Sequence, residues 1–189
     1  MNAPSSKVMV ERRIIYLSKI FALALTMSCT AVALSDRPQS VKKRNLGKSF
    51  IFAKNELYKT ECGSCHLAFL PGFLPKNSWE KLMSGLEDHF GENAELEEPQ
   101  IKEINKFLFE NAAGAPKSSS RSKKINRVME KMSDLPIRIT ETPFWVRKHY
   151  SIKKWVWKRE AVASKAKCEA CHEDAIKGRY SEYTVNIPD

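Results

Sequence analysis

One pentapeptide, Cys-x-x-Cys-His, occurs twice in this chain: Cys62-Gly63-Ser64-Cys65-His66 and Cys168-Glu169-Ala170-Cys171-His172. On a helical turn, residues i, i+3 and i+4 share a face, so each pair of thiols converges with its following imidazole. This is the attachment signal for c-type haem. Each thiol adds across one vinyl group at one edge of the porphyrin, and the neighbouring imidazole then reaches the iron. Cys62, Cys65, Cys168 and Cys171 are therefore the candidate attachment residues for two covalently bound haem c groups. His66 and His172 are the proximal iron ligands. A chain that must wrap two large apolar plates is tightly limited in what it can fold into.

Other uses of paired cysteines fit less well. Four-cysteine zinc sites separate their pairs by about 15–20 residues, whereas 102 residues lie between Cys65 and Cys168, and zinc assigns no task to the histidines. A thioredoxin-like motif belongs beside a βαβ pattern, which the sequence lacks. Disulfides are compatible with an exported protein.

Export is the expectation from the N-terminus. Lys7, Arg12, Arg13 and Lys19 precede an apolar run from Ile20 to Leu34, which has signal-peptide length rather than the roughly 20 residues of a comfortable span. Ala31-Val32-Ala33 and Ala33-Leu34-Ser35 are candidate cleavage sites, so residues 1–35 read as a signal peptide and the protein as periplasmic, with an uncleaved anchor as the alternative. Cys29 lies in this leader without a lipobox. Residues 36–189 then carry 28 basic and 21 acidic side chains, a net charge of +7. No nucleic-acid motif accompanies that charge, and nucleic acid is not an expected partner.

The remaining sequence reads as almost entirely helical. Helices are expected from Ser49 to Glu61, from Trp79 to Phe90 with an Asn77 or Ser78 cap, and onward from Glu98-Pro99. Further ones are expected around Ile125 to Met132, over Phe144 to Tyr150 behind a Thr142-Pro143 cap, and from Ser164 to Lys177. The loop Phe69 to Pro75 is placed against the first haem. Lys154 to Lys158 alternates and reads as locally extended. The Ala/Gly/Ser-rich stretch 112–124 is the best internal linker. The domain reading is accordingly 36–113 for an N-terminal haem lobe, 114–124 for a linker and 125–189 for a C-terminal haem lobe.

Two haems have four axial positions, and the chain has four histidines. His89 and His149 are left after the proximal pair, each near one haem motif and beside aromatics. They are assigned as distal ligands. The structural alternatives are a helix C-terminal histidine for His89 and a solvated Arg147-Lys148-His149 run. Met83, Met129 and Met132 compete for the sixth position and read as core methionines.

Several stretches resemble those of the small exported dihaem cytochromes c of bacteria. They are Glu61 to Ala68, Leu74-Pro75, Ser78-Trp79, Asp88-His89-Phe90-Gly91, Arg138 to Arg147 with His149, and Cys168 to His172 with the Gly178-Arg179-Tyr180 tail. The resemblance implies a mainly α fold of two haem-centred helical lobes, the N-terminal one like a class I cytochrome c. It implies bis-histidine coordination at both haems and an electron-shuttling role. Implied partners are a small high-spin, oxygen-binding monohaem cytochrome c and, upstream, a membrane b-type cytochrome.

The expected function is one-electron transfer without a catalytic residue or small-molecule substrate, since an iron held by two nitrogens has no open position. Two alternatives stand beside it: a haem enzyme with a labile axial site, and a haem subunit of a larger membrane respiratory complex. Two basic clusters are docking candidates. Lys117, Arg121, Lys123, Lys124 and Arg127 flank the linker; Lys153, Lys154, Lys158 and Arg159 surround Trp155 and Trp157, close to the second haem motif.

Overall fold

The structure, a computed structural model, describes Phe50 and residues 53–189. The expected leader, its cleavage sites and Cys29 lie outside the described residues. The described residues form α-helices joined by 3-10 turns, with no strand among them.

Helix α1, Glu56–Cys62, starts where the Asn55 side chain accepts a hydrogen bond from the Tyr58 amide at 2.7 Å. Such a cap satisfies one of the amides that the first turn leaves unpaired. Its buried Tyr58 donates its hydroxyl to the Phe69 carbonyl at 2.7 Å. That bond ties the helix before the first pentapeptide to the loop after it.

Helix α2, Lys76–Met83, buries Trp79 and Met83, an i, i+4 pair. The Trp79 indole N–H donates to the Pro71 carbonyl at 2.8 Å. The helix begins three residues earlier than expected and stops well short of Phe90. At Ser84-Gly85 the backbone leaves helical geometry, and a 3-10 turn, Leu86–Asp88, follows. Leu86 is thereby turned into the core.

Helix α3, Glu98–Asn111, opens with a reciprocal Glu97/Gln100 capping box and a proline in its first turn. Its Ile104, Phe107 and Leu108 stripe is buried. Gln100 also donates to the Glu61 carboxylate at 2.9 Å, which joins α3 to the end of α1.

Helix α4, Ser120–Met129, is capped by Ser119 and begins inside the stretch expected to be a linker. Its Ile125 and Met129 bury in the same apolar cluster as Leu74, Ile104 and Leu108. Helix α5, Pro143–His149, opens as its sequence predicts: the Thr142 hydroxyl accepts from the Trp145 amide at 3.3 Å and donates to the Ile139 carbonyl at 2.8 Å.

Two expectations fail locally. Val156–Lys158 is a 3-10 turn rather than an extended segment, because only Val156 of that alternating run has a core to enter. The second pentapeptide does not lie on a long helix; Cys168–Ala170 and Ala175–Lys177 are separate 3-10 turns. In an α-helix the Cys171 carbonyl would accept from the Ala175 amide. Here it accepts from Asn186 of the C-terminal tail at 3.0 Å, and the Ala175 amide turns to His172 at 2.8 Å. The turn closes at Gly178, whose φ of 70° is a conformation that glycine adopts without a Cβ penalty.

Candidate functional site

The two pentapeptides form similar corners from different neighbours. Cys62 is the last residue of α1, and Cys65 and His66 lie on the turn just beyond it. Gly63 caps the helix where a Cβ would meet the Lys59 carbonyl oxygen. In the second motif, the Cys171 and His172 amides both donate to the Cys168 carbonyl, at 3.2 and 2.9 Å. One turn of i+3 and i+4 bonds is all that the motif requires.

Each proximal histidine faces one of the two spare histidines. The rings of His66 and His89 are 6.3 Å apart between centroids, and those of His149 and His172 are 6.2 Å apart. Metal–imidazole bonds are about 2 Å long, and the ligating nitrogen is about 1 Å from its ring centre, so two imidazoles on opposite sides of one metal have centroids about 6 Å apart. The planes differ by 19° in the first pair and 79° in the second.

His89 is positioned by a tight turn rather than by a helix. Its amide donates to the Glu92 carbonyl at 2.7 Å, and the two central residues, Phe90 and Gly91, have φ of 63° and 101°. That pattern of positive φ belongs to primed hairpin turns and is costly for phenylalanine. Part of the compensation is the Arg138 guanidinium, 3.7 Å above the Phe90 ring. His149 is the final residue of α5, and the ring of Trp145, one turn earlier, stacks on it at 4.2 Å and 17°. Trp157 approaches the same imidazole at 6.1 Å.

The ring nitrogens are oriented for ligation. Nδ1 of His66 lies 2.9 Å from the Leu67 carbonyl oxygen, and Nδ1 of His149 lies 2.9 Å from that of Trp145. A carbonyl only accepts, so in the neutral ring Nδ1 carries the proton and Nε2 presents the lone pair. Burial lowers the pKa of His89, with His66 and Arg138 adding to the effect. It also lowers that of His172, helped by His149. For His149, burial outweighs the opposing hydrogen bond to Trp145. All three shifts favour the neutral, metal-binding form.

Burial acts on the thiols as well. It pushes Cys62 up to about 11, with Glu61 adding to it, and Cys168 up to about 12, with Glu169 as the next cause. Such surroundings disfavour thiolate and suit an uncharged thioether. The four motif cysteines are free, and no three His, Cys, Asp or Glu side chains among the described residues converge as a metal site. The zinc and disulfide readings gain nothing from this geometry.

A cavity of about 300 Å³ contains Cys168, Cys171, His172 and His149 together in its wall. Its remaining lining is mainly apolar and aromatic, with Trp145, Trp157, Phe144 and Tyr180 prominent. Nδ1 of His172 and the hydroxyl of Tyr180 are buried there without a protein hydrogen-bond partner. Orphaned atoms of this kind call for a partner, which an ordered water, an ion or a bound group would supply. Lys165 and Lys167 also line the cavity and are cations suited to carboxylates. These residues fit a haem. At the first motif, Phe69 stacks on His66 at 4.8 Å.

The competing methionines are placed elsewhere. Met83 and Met129 are core residues, and Met132 is partly exposed. Tyr180, which the sequence marks only within the Gly178-Arg179-Tyr180 tail and without a role, is a further functional candidate. Its contacts with Phe50, Phe73 and His172 join positions more than 100 residues apart. The Trp145–His149 stack, by contrast, was available from i, i+4 spacing.

A family model described as dihaem cytochrome c matches residues 58–180. The chain belongs to the dihaem cytochrome c family. Among solved structures, it is similar to the dihaem cytochrome c from Rhodobacter sphaeroides, with 32% identity and a TM-score of 0.60, covering 69% of this chain and 99% of that one. It is also similar to the dihaem cytochrome c of Shewanella baltica OS155, with 34% identity and a TM-score of 0.58, covering 72% and 95%. A comparison with curated proteins finds no match. Membership makes this chain a c-type cytochrome of mainly helical fold, and an electron carrier rather than an enzyme.

Proposed function

We propose that this dihaem cytochrome is a periplasmic one-electron carrier with two covalent haems, each held between two histidines. Cys62 and Cys65 anchor the first haem, with His66 and His89 as axial ligands. Cys168 and Cys171 anchor the second, with His172 and His149. The observation that carries this reading is the matched 6.3 and 6.2 Å spacing of the two imidazole pairs.

When bound, the haem supplies a reversible one-electron change at iron. The chain's own residues keep the coordination constant through that change. Carbonyls of Leu67 and Trp145 hold His66 and His149 in the ligating tautomer. Trp145 and Trp157 pack beside the second distal ligand. With both axial positions filled by imidazole, the potentials should lie below those of methionine–histidine cytochromes. The two-lobe organisation and the class I likeness of the N-terminal part belong to this proposal. So do residues 1–35 as a cleaved export signal, a high-spin monohaem cytochrome c as acceptor and a membrane b-type cytochrome as donor.

The test is the intact mass and spectrum of the purified holoprotein. The mass should equal the polypeptide from residue 36, or one close to it, plus two haems that resist acid-acetone extraction. The reduced spectrum should be low-spin and unchanged by carbon monoxide. One haem by mass, or a carbon monoxide shift in the unaltered protein, overturns the reading.

A further inference from the structure

The charge of this protein is not spread evenly. Between Trp145 and Lys167 there are eight basic residues, among them Arg147, Lys153, Lys154, Lys158 and Lys165, and the single acid Glu160. That stretch has a net charge of +7, as much as the whole of residues 36–189, so the rest of that span is neutral overall. The same stretch carries His149 and the two tryptophans beside it.

Its surface combines charge with an exposed aromatic. Trp155 is 59% exposed, and Lys153, Lys154 and Lys158 around it are exposed too. The Arg159 guanidinium covers part of the Trp155 ring from 4.5 Å. Two residues on, Trp157 is half-buried and reaches Trp145 at 5.5 Å and His149 at 6.1 Å. The chain thus runs from an exposed ring to the second distal ligand within a few residues. Tryptophan and arginine are the residues that most often anchor protein interfaces.

We propose that this basic stretch is where an acidic redox protein docks to exchange electrons with the second haem, with Trp155 as its exposed contact and Trp157 linking the surface to His149. The proposal rests on the carrier reading above. Opposite charge steers such encounters and chiefly raises their on-rate, and redox complexes bury little surface. An anionic membrane is a less fitting occupant. The only α-helix in the stretch is α5, of seven residues, so it has no long amphipathic helix to immerse. In the other basic cluster, Lys117, Arg121, Lys123, Lys124 and Arg127, only Arg121 meets an aromatic ring among the described residues, that of Phe50, and that contact leads through Tyr180 to the proximal His172 and not to His149.

The test uses ferric holoprotein and, as an acidic protein probe, a reduced flavodoxin mixed by stopped flow. In each encounter one electron leaves the reduced flavin and one ferric haem becomes ferrous. Replacing Lys153, Lys154 and Lys158 together by Glu should lower the bimolecular rate about tenfold or more at low ionic strength. The difference should fade as salt rises. Lys117→Glu, Lys123→Glu and Lys124→Glu together make the same change in net charge and should alter the rate less than about twofold, since steering is local to the docking face. Equal slowing by both triple variants, no slowing by either, or a salt-independent rate for the unaltered protein overturns the proposal. An unchanged rate with loss of co-sedimentation on phosphatidylglycerol vesicles also overturns it, and assigns the patch to a membrane. Each variant is first checked for a low-spin reduced spectrum inert to carbon monoxide. Failure of docking leaves that spectrum intact, whereas failure of the carrier reading appears in it before any mixing.

Discussion

Replacing His149 by alanine is the most direct test of how the second site is built. The substitution removes one of the two imidazoles spaced at 6.2 Å and leaves Trp145 and Trp157 flanking a position no other histidine occupies. Met83 and Met129 are buried in the apolar core and are not placed to substitute. One of the two haems should therefore become high-spin and, when reduced, bind carbon monoxide, while the other keeps its spectrum. The stability change follows from the same geometry. His149 and His172 are 23 positions apart, so an iron held by both, as proposed, would close a loop whose chain entropy, by the reasoning applied to cross-links, is worth about 3 kcal/mol. For a chain of this size the melting temperature should fall by about 10 °C. Optical titration with carbon monoxide and calorimetry of the holoprotein supply both measurements, and added imidazole should restore the low-spin spectrum. His89→Ala should do the same to the first haem alone, across an equal 23-position loop from His66. If both variants stay fully low-spin and inert to carbon monoxide, the bis-histidine assignment is refuted.

Other outcomes follow from local features. The imidazole planes are near-parallel in one pair and near-perpendicular in the other. Parallel planes split the iron dπ orbitals in concert and perpendicular planes leave them nearly degenerate. Electron paramagnetic resonance of the ferric protein should thus show two low-spin signals, the second with the larger g anisotropy; one shared signal would count against two distinct sites. Thr142→Ala removes the cap of α5 and the hydroxyl that joins Trp145 to Ile139. It should cost about 1–2 kcal/mol in urea unfolding, and a change under half of that would show that the cap is not needed. Gly178→Ala places a side chain at φ 70° and should cost about 1–2 kcal/mol, read from the same unfolding curves.

Where expectation and structure part, the reasons are tertiary. Thr142-Pro143 and the Glu98-Pro99 helix start were legible because helix starts are settled by residues within one turn. The second pentapeptide was expected on a helix through Lys177. It is broken into turns because Asn186, far along the chain, takes the carbonyl that the helix needed. His89 was expected at a helix end and lies instead on a turn with Phe90 and Gly91 at positive φ, held by Arg138 from nearly 50 residues away. The stretch read as a linker is helical from Ser120, because Ile125 and Met129 find the core that holds Leu74 and Leu108.

Sequence by itself determined the chemistry of this cytochrome. Two pentapeptides and four histidines name the candidate attachment thiols and the candidate ligands, because covalent spacing and ligand supply are properties of the chain alone. Only the tertiary structure decided the partners. It sets His66 opposite His89 and His149 opposite His172, at nearly equal distances and with unlike plane angles. It also brings Tyr180 from the C-terminal region between Phe73 and His172. Those pairings depend on long-range packing that closes around the core, and no local periodicity encodes an angle between rings on separate turns.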